Sequence, residues 1–221
     1  MIRKKSLLLA TLVLLCLATV VYAAEPSEPH PANAIWVEPS TVIPPNIAVG
    51  EKFNVTIWAN SSVNCGGWQI WLIYPSAYIN ATRANYTGPD GTKSDFFKDI
   101  NTIPVTPSFK AHNTTHNRVE YGESWAGTGP LRSPGYGSLC WIEFEIVAVP
   151  GDGLNELLDF YAYTGSVRRT YLIDGQTGNK VDLNVYPATV VPEFSALILM
   201  ILLVTSSLAV VIGLKSTKKA K

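Results

Sequence analysis

His112 and His116 stand four residues apart, the spacing at which two imidazoles on a helix can grip one metal ion. The residues between them, Asn113-Thr114-Thr115, form a glycosylation sequon flanked by strand-like sequence. On an extended strand the two rings would lie about 13 Å apart, too far to share an ion, so they read as polar loop residues. Asp174-Gly175-Gln176-Thr177-Gly178-Asn179 offers oxygen ligands but lacks the alternating acids and distal Glu of a calcium loop, and reads as a turn. Asp90, Asp95 and Asp99 fall in a long irregular segment where a loose calcium site is the lesser reading, and no metal or cofactor is assigned. The chain contains no GxSxG, no His/Cys cluster, no Gly-rich phosphate loop and no framed carboxylate pair, so no enzyme is expected.

Modification chemistry is better represented. Asn-X-Ser/Thr occurs at Asn54, Asn60, Asn80, Asn85 and Asn113. Ser and Thr fill 34 of 221 positions, so chance would turn only about two of the thirteen asparagines into sequons. The excess points to a glycosylated surface protein. Cys65 and Cys140 are expected to pair, closing a loop of about 75 residues worth up to ~4 kcal/mol. The alternative is two buried thiols packing as small hydrophobes.

Three tryptophans are candidate contact residues, and the strands that carry them show why. In Glu51–Ala59, Phe53, Val55, Ile57 and Ala59 share one face, and Asn54, Thr56 and Trp58 share the other. In Gly67–Tyr74, Trp68, Ile70, Leu72 and Tyr74 form the inward row and Trp71 the outward one. In Ser138–Val149, Cys140, Ile142, Phe144 and Ile146 face in, while Trp141 faces out with Glu143 and Glu145. Outward Trp58, Trp71 and Trp141 would stack on sugars or anchor a protein partner, unless the 75–108 segment or neighbouring glycans cover them. Further short strands are expected over Ala34–Val37, Arg118–Trp125, Leu157–Tyr163, Arg169–Ile173 and Lys180–Tyr186, the last two joined by the turn at 174–179. Residues 75–108 read as a long irregular segment with one or two short strands. No stretch before residue 195 has a helical period, so the pattern predicts an all-β sandwich of two sheets.

Both ends of the chain are apolar. Arg3, Lys4 and Lys5 precede the apolar Leu7–Val21, and Val21-Tyr22-Ala23 suits a signal-peptidase site. Ser195–Leu214 is an uncharged run of twenty residues followed by Lys215, Lys218, Lys219 and Lys221. Such a helix is roughly 30 Å long, enough to span a bilayer with its lysines on the cytoplasmic side. The chain divides accordingly into a signal peptide (1–23), a Pro-rich linker (24–33), a sandwich (34–187), a stalk (188–194), a transmembrane helix (195–214) and a basic tail (215–221). A formal net charge of zero, with no basic stripe, argues against nucleic acid as a partner.

Three segments resemble the cohesin domain and the wider carbohydrate-binding-module-like jelly roll. They are Val49-Gly50-Glu51-Lys52-Phe53-Asn54-Val55-Thr56-Ile57, Gly67-Trp68-Gln69-Ile70-Trp71-Leu72-Ile73-Tyr74-Pro75 and Gly137-Ser138-Leu139-Cys140-Trp141-Ile142-Glu143-Phe144-Glu145-Ile146. The resemblance implies a jelly-roll sandwich that binds proteins. It departs from the family at Pro75, at the long 75–108 insertion and at Cys140, which stands where the family has a small Ala, and these departures weigh against dockerin as the ligand. Pro192-Glu193-Phe194, set against the apolar run, resembles the archaeal PEF-CTERM sorting signal read by archaeosortases, which would replace the tail with a lipid. A plain single-span anchor is the alternative. The chain is thus expected to be a non-enzymatic archaeal cell-surface protein, N-terminus outside, engaged in adhesion, surface assembly or protein binding. Carbohydrate binding through the tryptophans is the second reading.

Overall fold

The computed structural model describes residues 30–87, 93–151, 154–161 and 169–191. The signal peptide, the Pro192-Glu193-Phe194 motif, the apolar run and the basic tail lie outside them. The described residues form fourteen strands: β1 Ala34–Glu38, β2 Thr41–Val42, β3 Lys52–Ser61, β4 Cys65–Pro75, β5 Ile79–Asn85, β6 Thr102–Pro104, β7 Ser108–Ala111, β8 His116–Trp125, β9 Gly135–Ile146, β10 Glu156–Phe160, β11 Tyr171–Asp174, β12 Lys180–Val181, β13 Asn184–Tyr186 and β14 Ala188–Val190. One 3-10 turn, Asp95–Phe97, is the only helical element among the described residues.

Two sheets face each other, as the alternation requires. One has five strands in the order β13-β1-β3-β9-β5. The other has nine: β12-β11-β4-β10-β14-β2 along its path, with β8 on the free edge of β4 and β6 and β7 both on β8. The core is the sum of the inward rows. Phe53, Val55, Ile57 and Ala59 of β3 and Ile142, Phe144 and Ile146 of β9 meet Trp68, Ile70, Leu72 and Tyr74 of β4 across the sandwich. Tyr74 packs edge-on against Phe144 at 5.2 Å, a geometry that places ring hydrogens against a π face. The Asp174–Asn179 turn closes the β11–β12 hairpin, with Asp174 accepting hydrogen bonds from the Gln176 amide and the Thr177 hydroxyl.

Four expectations need correction. Cys65 and Cys140 are both free and buried. Cys65 opens β4 in the nine-stranded sheet, and its thiol donates to the Gly67 carbonyl at 3.1 Å, whereas Cys140 sits in β9 opposite Ile57 in the other sheet. The alternation in β9 is also broken. Ile57 pairs with Cys140 but Trp58 pairs with Ser138, so Leu139 is an extra residue and turns into the core beside Cys140. The proposed stalk begins inside the domain, because Ala188 and Val190 are buried and β14 pairs with β10 and β2. Lys180–Tyr186 is two strands in different sheets rather than one.

The 75–108 insertion is more ordered than its composition suggests. It contributes β5 to the five-stranded sheet and buries Phe96 and Phe97 completely. The Phe96 backbone crosses over Gly137, where a Cβ would come within 2.9 Å of the Phe96 Cα. A buried polar clamp holds the rest of the strap. The fully buried Glu123 carboxylate accepts from Trp68 Nε1 at 3.3 Å and from the Thr102 hydroxyl, and Lys93 Nζ lies 3.6 Å away. Lys93 also donates to the Ile100 carbonyl at 3.1 Å and to Thr102 Oγ1 at 3.2 Å, so each polar head has partners.

Candidate functional site

The outer face of the nine-stranded sheet concentrates the unusual side chains. Registers bring Glu120 opposite Trp71, Arg118 opposite Ile73, Lys110 opposite Arg118 and Tyr171 opposite Gln69. Trp71 is the half-buried centre. Its amide is held by the Thr170 hydroxyl at 3.1 Å and its carbonyl by the Tyr161 amide at 2.9 Å, which fixes the backbone beneath the indole. The Arg118 guanidinium lies 4.2 Å and the Arg169 guanidinium 4.9 Å from the ring centroid, and Tyr161 stacks at 5.9 Å. His112 leans edge-on against Tyr161 at 5.0 Å. Towards β11, Gln69 donates to the Arg169 carbonyl and accepts from the Tyr171 hydroxyl, each at 3.0 Å, and Lys180 stands 4.0 Å over the Tyr171 ring.

Charge on this face is unevenly balanced. Glu120 is clasped by Lys110 at 2.8 Å and Arg118 at 2.6 Å. Burial pulls the Glu120 carboxyl up, but those hydrogen bonds and charges outweigh it and hold it below its ordinary value. Burial and the nearby Arg118 depress His112, which therefore stays neutral near pH 7 and adds no charge. Arg169 is exposed and has no carboxylate partner among the described residues. Asp159, opposite Ile73, adds a second carboxylate to this face, which is aromatic at its centre with Arg169 unpaired among the described residues on one side, a combination that holds planar or acidic groups of another molecule.

The three tryptophans end up in unlike places. Trp71 is at the centre of this face. Trp58 is half-buried on the outer face of the other sheet, between Trp36 at 6.2 Å and Tyr136 at 6.4 Å. Trp141 lies on that same outer face but is only 6% exposed. Arg83 covers its ring at 5.3 Å and its indole N–H donates to the Thr87 carbonyl, so the insertion roofs it over and it offers no contact surface. Alternation reports which side of a strand a residue takes and is silent about what is laid on top. Arg118, Arg169 and Tyr161 were not anticipated, because nothing local in the sequence links positions so far apart. The regular register of β4 and β8 carried the only available signal.

No metal site assembles among the described residues. His112 and His116 are joined through the backbone, His112 N–H to His116 carbonyl at 2.9 Å, and the His116 ring turns to the Thr115 hydroxyl. Of the sequons, Asn54, Asn80 and Asn113 are exposed, while Asn60 and Asn85 are half-buried.

No protein-family model and no curated protein matches the chain. Among solved structures it is similar to a non-cellulosomal cohesin from the hyperthermophilic archaeon Archaeoglobus fulgidus, at 14% identity and TM-score 0.47 over 73% of this chain and 91% of that one. A type II cohesin domain from the cellulosome of Acetivibrio cellulolyticus is similar at 16% identity and TM-score 0.48, over 72% and 95%. Type II cohesin A11 from Bacteroides cellulosolvens is similar at 18% identity and TM-score 0.47, over 69% and 99%. Likenesses this distant leave the function to be argued from this chain's own surface.

Proposed function

We propose that the chain is a non-enzymatic cell-surface protein whose cohesin-like sandwich docks a protein partner on the outer face of the nine-stranded sheet. The observation that carries the reading is the arrangement around Trp71: a positioned indole, two guanidiniums and a tyrosine on one face, with the exposed Arg169 lacking a carboxylate partner among the described residues. Half-buried aromatics and Arg are the residue types that dominate protein interfaces. The partner's matching patch carries carboxylates for Arg169 and an apolar rim for Trp71 and Tyr161. Sugar binding is the weaker reading. A stacked sugar needs an open ring, and Trp71, Trp58 and Trp141 are each crowded or covered by other side chains.

The membrane anchorage and archaeal surface setting rest on the sequence, as do the archaeosortase-type processing at Pro192-Glu193-Phe194 and the glycosylation. The intact mass of protein taken from its own membrane decides the processing, because a mass that includes Lys221 means a permanent span. Docking is tested by affinity capture on the wild type, Trp71→Ala and Arg169→Glu. The reading requires both variants to lose the partner while keeping the wild-type melting curve. Retention by both, or glycan-array binding abolished by Trp71→Ala, overturns it.

A further inference from the structure

The strand registers sort the five sequons by height along the sandwich. β3 begins and β9 ends at one end, since Lys52 pairs with Glu145. β5 starts there too, with Ile79 opposite Ile146, and β4 ends there, with Pro75 opposite His116 at the base of the β7–β8 hairpin. The turn after β4 ties these pieces together, as the Ser76 amide donates to the Thr115 carbonyl and the Val147 amide to the Tyr78 carbonyl. β14 leaves the domain at the same end. Its Val190 pairs with Glu156, the start of β10, whose Asp159 lies opposite Ile73 near the end of β4.

Exposed Asn54, Asn80 and Asn113 all belong to this end. Asn54 and Asn80 flank β9 at Glu143 and Glu145, and Asn113 occupies the β7–β8 turn. Asn60 and Asn85 lie further toward the other end, opposite Tyr136 and Trp141 of β9. Both are half-buried, and Asn60 Nδ2, the atom a glycan would occupy, donates to the His30 carbonyl at 2.8 Å. Oδ1 bonding does not separate the sites: Asn85 Oδ1 accepts from the Thr87 amide at 3.0 Å, Asn113 Oδ1 from the Thr115 amide at 2.9 Å and the Thr115 hydroxyl at 3.1 Å, and Asn80 Oδ1 from the Tyr74 hydroxyl at 3.4 Å. Exposure does: Asn113, Thr114 and Thr115 are all exposed on a tight turn, whereas Asn85 lies beside the roof over Trp141.

We propose that Asn54, Asn80 and Asn113 carry N-linked glycans, that Asn60 and Asn85 do not, and that the three glycans form a collar around the end from which the chain leaves toward its C-terminal apolar run. In each transfer the Asn Nδ2 displaces the diphosphate of a lipid-linked oligosaccharide donor. A C1–N bond forms as the C1–O bond to the diphosphate breaks, and one amide proton passes to a base on the transferase. A glycan on Asn60 would leave its Nδ2 with a single hydrogen and have to grow from an atom that bonds the His30 carbonyl in a half-buried site, so the folded domain disfavours it. The collar leaves the middle of the Trp71 face bare and gives the domain a hydrated skirt on its C-terminal side.

This inference rests on the surface reading, and the test separates the two. Full-length protein is recovered from intact cells of its own organism after labelling with a membrane-impermeant amine reagent, and its peptides are mapped by glycopeptide mass spectrometry. The expected result is surface labelling, glycan on the peptides of Asn54, Asn80 and Asn113, and bare Asn60 and Asn85. Asn113→Gln and Thr115→Ala should each remove one glycan's mass, the second while keeping the asparagine. Labelled protein with glycan on Asn60 or Asn85, or with any of the three exposed sites bare, overturns the collar alone. Unlabelled, unmodified protein overturns the surface reading and the collar with it.

Discussion

Replacing Glu123 by alanine should be among the most damaging single changes to this domain. The carboxylate is fully buried and takes hydrogen bonds from Trp68 Nε1 and Thr102 Oγ1, with Lys93 Nζ at 3.6 Å. Alanine leaves the Trp68 donor without its acceptor and the Lys93 ammonium without its counter-charge. Removing one partner of a buried pair costs about 3–5 kcal/mol, whereas the pair itself contributes far less net. The Lys93 side chain is 27% exposed and can relax toward water, which places the cost near the lower bound. At roughly 2–4 °C per kcal/mol for a domain of about 160 residues, a ~3 kcal/mol loss lowers the melting temperature by about 6–12 °C. Glu123→Gln keeps an acceptor oxygen and should lose about half as much, and adding Lys93→Met to Glu123→Gln should recover part of the difference. Circular dichroism melts give the numbers, and amide exchange should show residues 93–104 opening first. If Glu123→Ala melts within about 1 °C of the wild type, the clamp does not hold the strap and the reasoning fails.

Two further outcomes follow from titrating groups. Burial pushes the Cys65 thiol up to about 11 and drives Cys140 upward as well, so both should resist alkylation at pH 8 in the native protein and react fully in denaturant without reductant. Either cysteine staying protected in denaturant until reductant is added would show the bridge that the fold lacks. Glu143 is held below its ordinary value by the Thr82 hydroxyl and then by Lys52, and Glu120 is lowered on balance by Lys110 and Arg118. Carboxyls lowered on folding contribute stability that is fully present above their unfolded pKa, near 4.5, and lost as pH falls through the lower folded values. The acid limb of the stability curve should therefore flatten in Glu120→Gln/Glu143→Gln, and an unchanged limb would show that other groups set it.

The sandwich was legible because its central strands obey a period of two. Phe53, Val55, Ile57 and Ala59, and Trp68, Ile70, Leu72 and Tyr74, could face only one way in a half-buried sheet, and all are buried. The β11–β12 hairpin was legible from Asp174, Gly175, Gly178 and Asn179. The strap was not, because Phe96 and Phe97 sit in a turn too short for any periodicity and Glu123 gains Trp68 only through the β4–β8 register and Thr102 only when β6 folds back on β8. The cysteines misled for a related reason, since two thiols in an export-type sequence have no pattern that distinguishes pairing from burial. Trp71 was readable as an outward side chain. Its neighbours Arg118, Arg169 and Tyr161 come from three other segments and required the registers.

The docking face itself is tested most directly by matched crosslinkers. Lys110, on the Trp71 face, and Lys52, on the opposite sheet, have side chains 54% and 51% exposed, and each makes one surface ion pair, which contributes little. A photo-crosslinking amino acid placed at each position in full-length protein on living cells, with Asn54→Gln and Asn80→Gln in both so that no glycan stands beside position 52, therefore samples the two faces on equal terms. The account predicts a discrete protein adduct from position 110 that disappears when Trp71→Ala is added, and none from position 52. A discrete adduct from position 52 alone, or one from position 110 indifferent to Trp71, would contradict it.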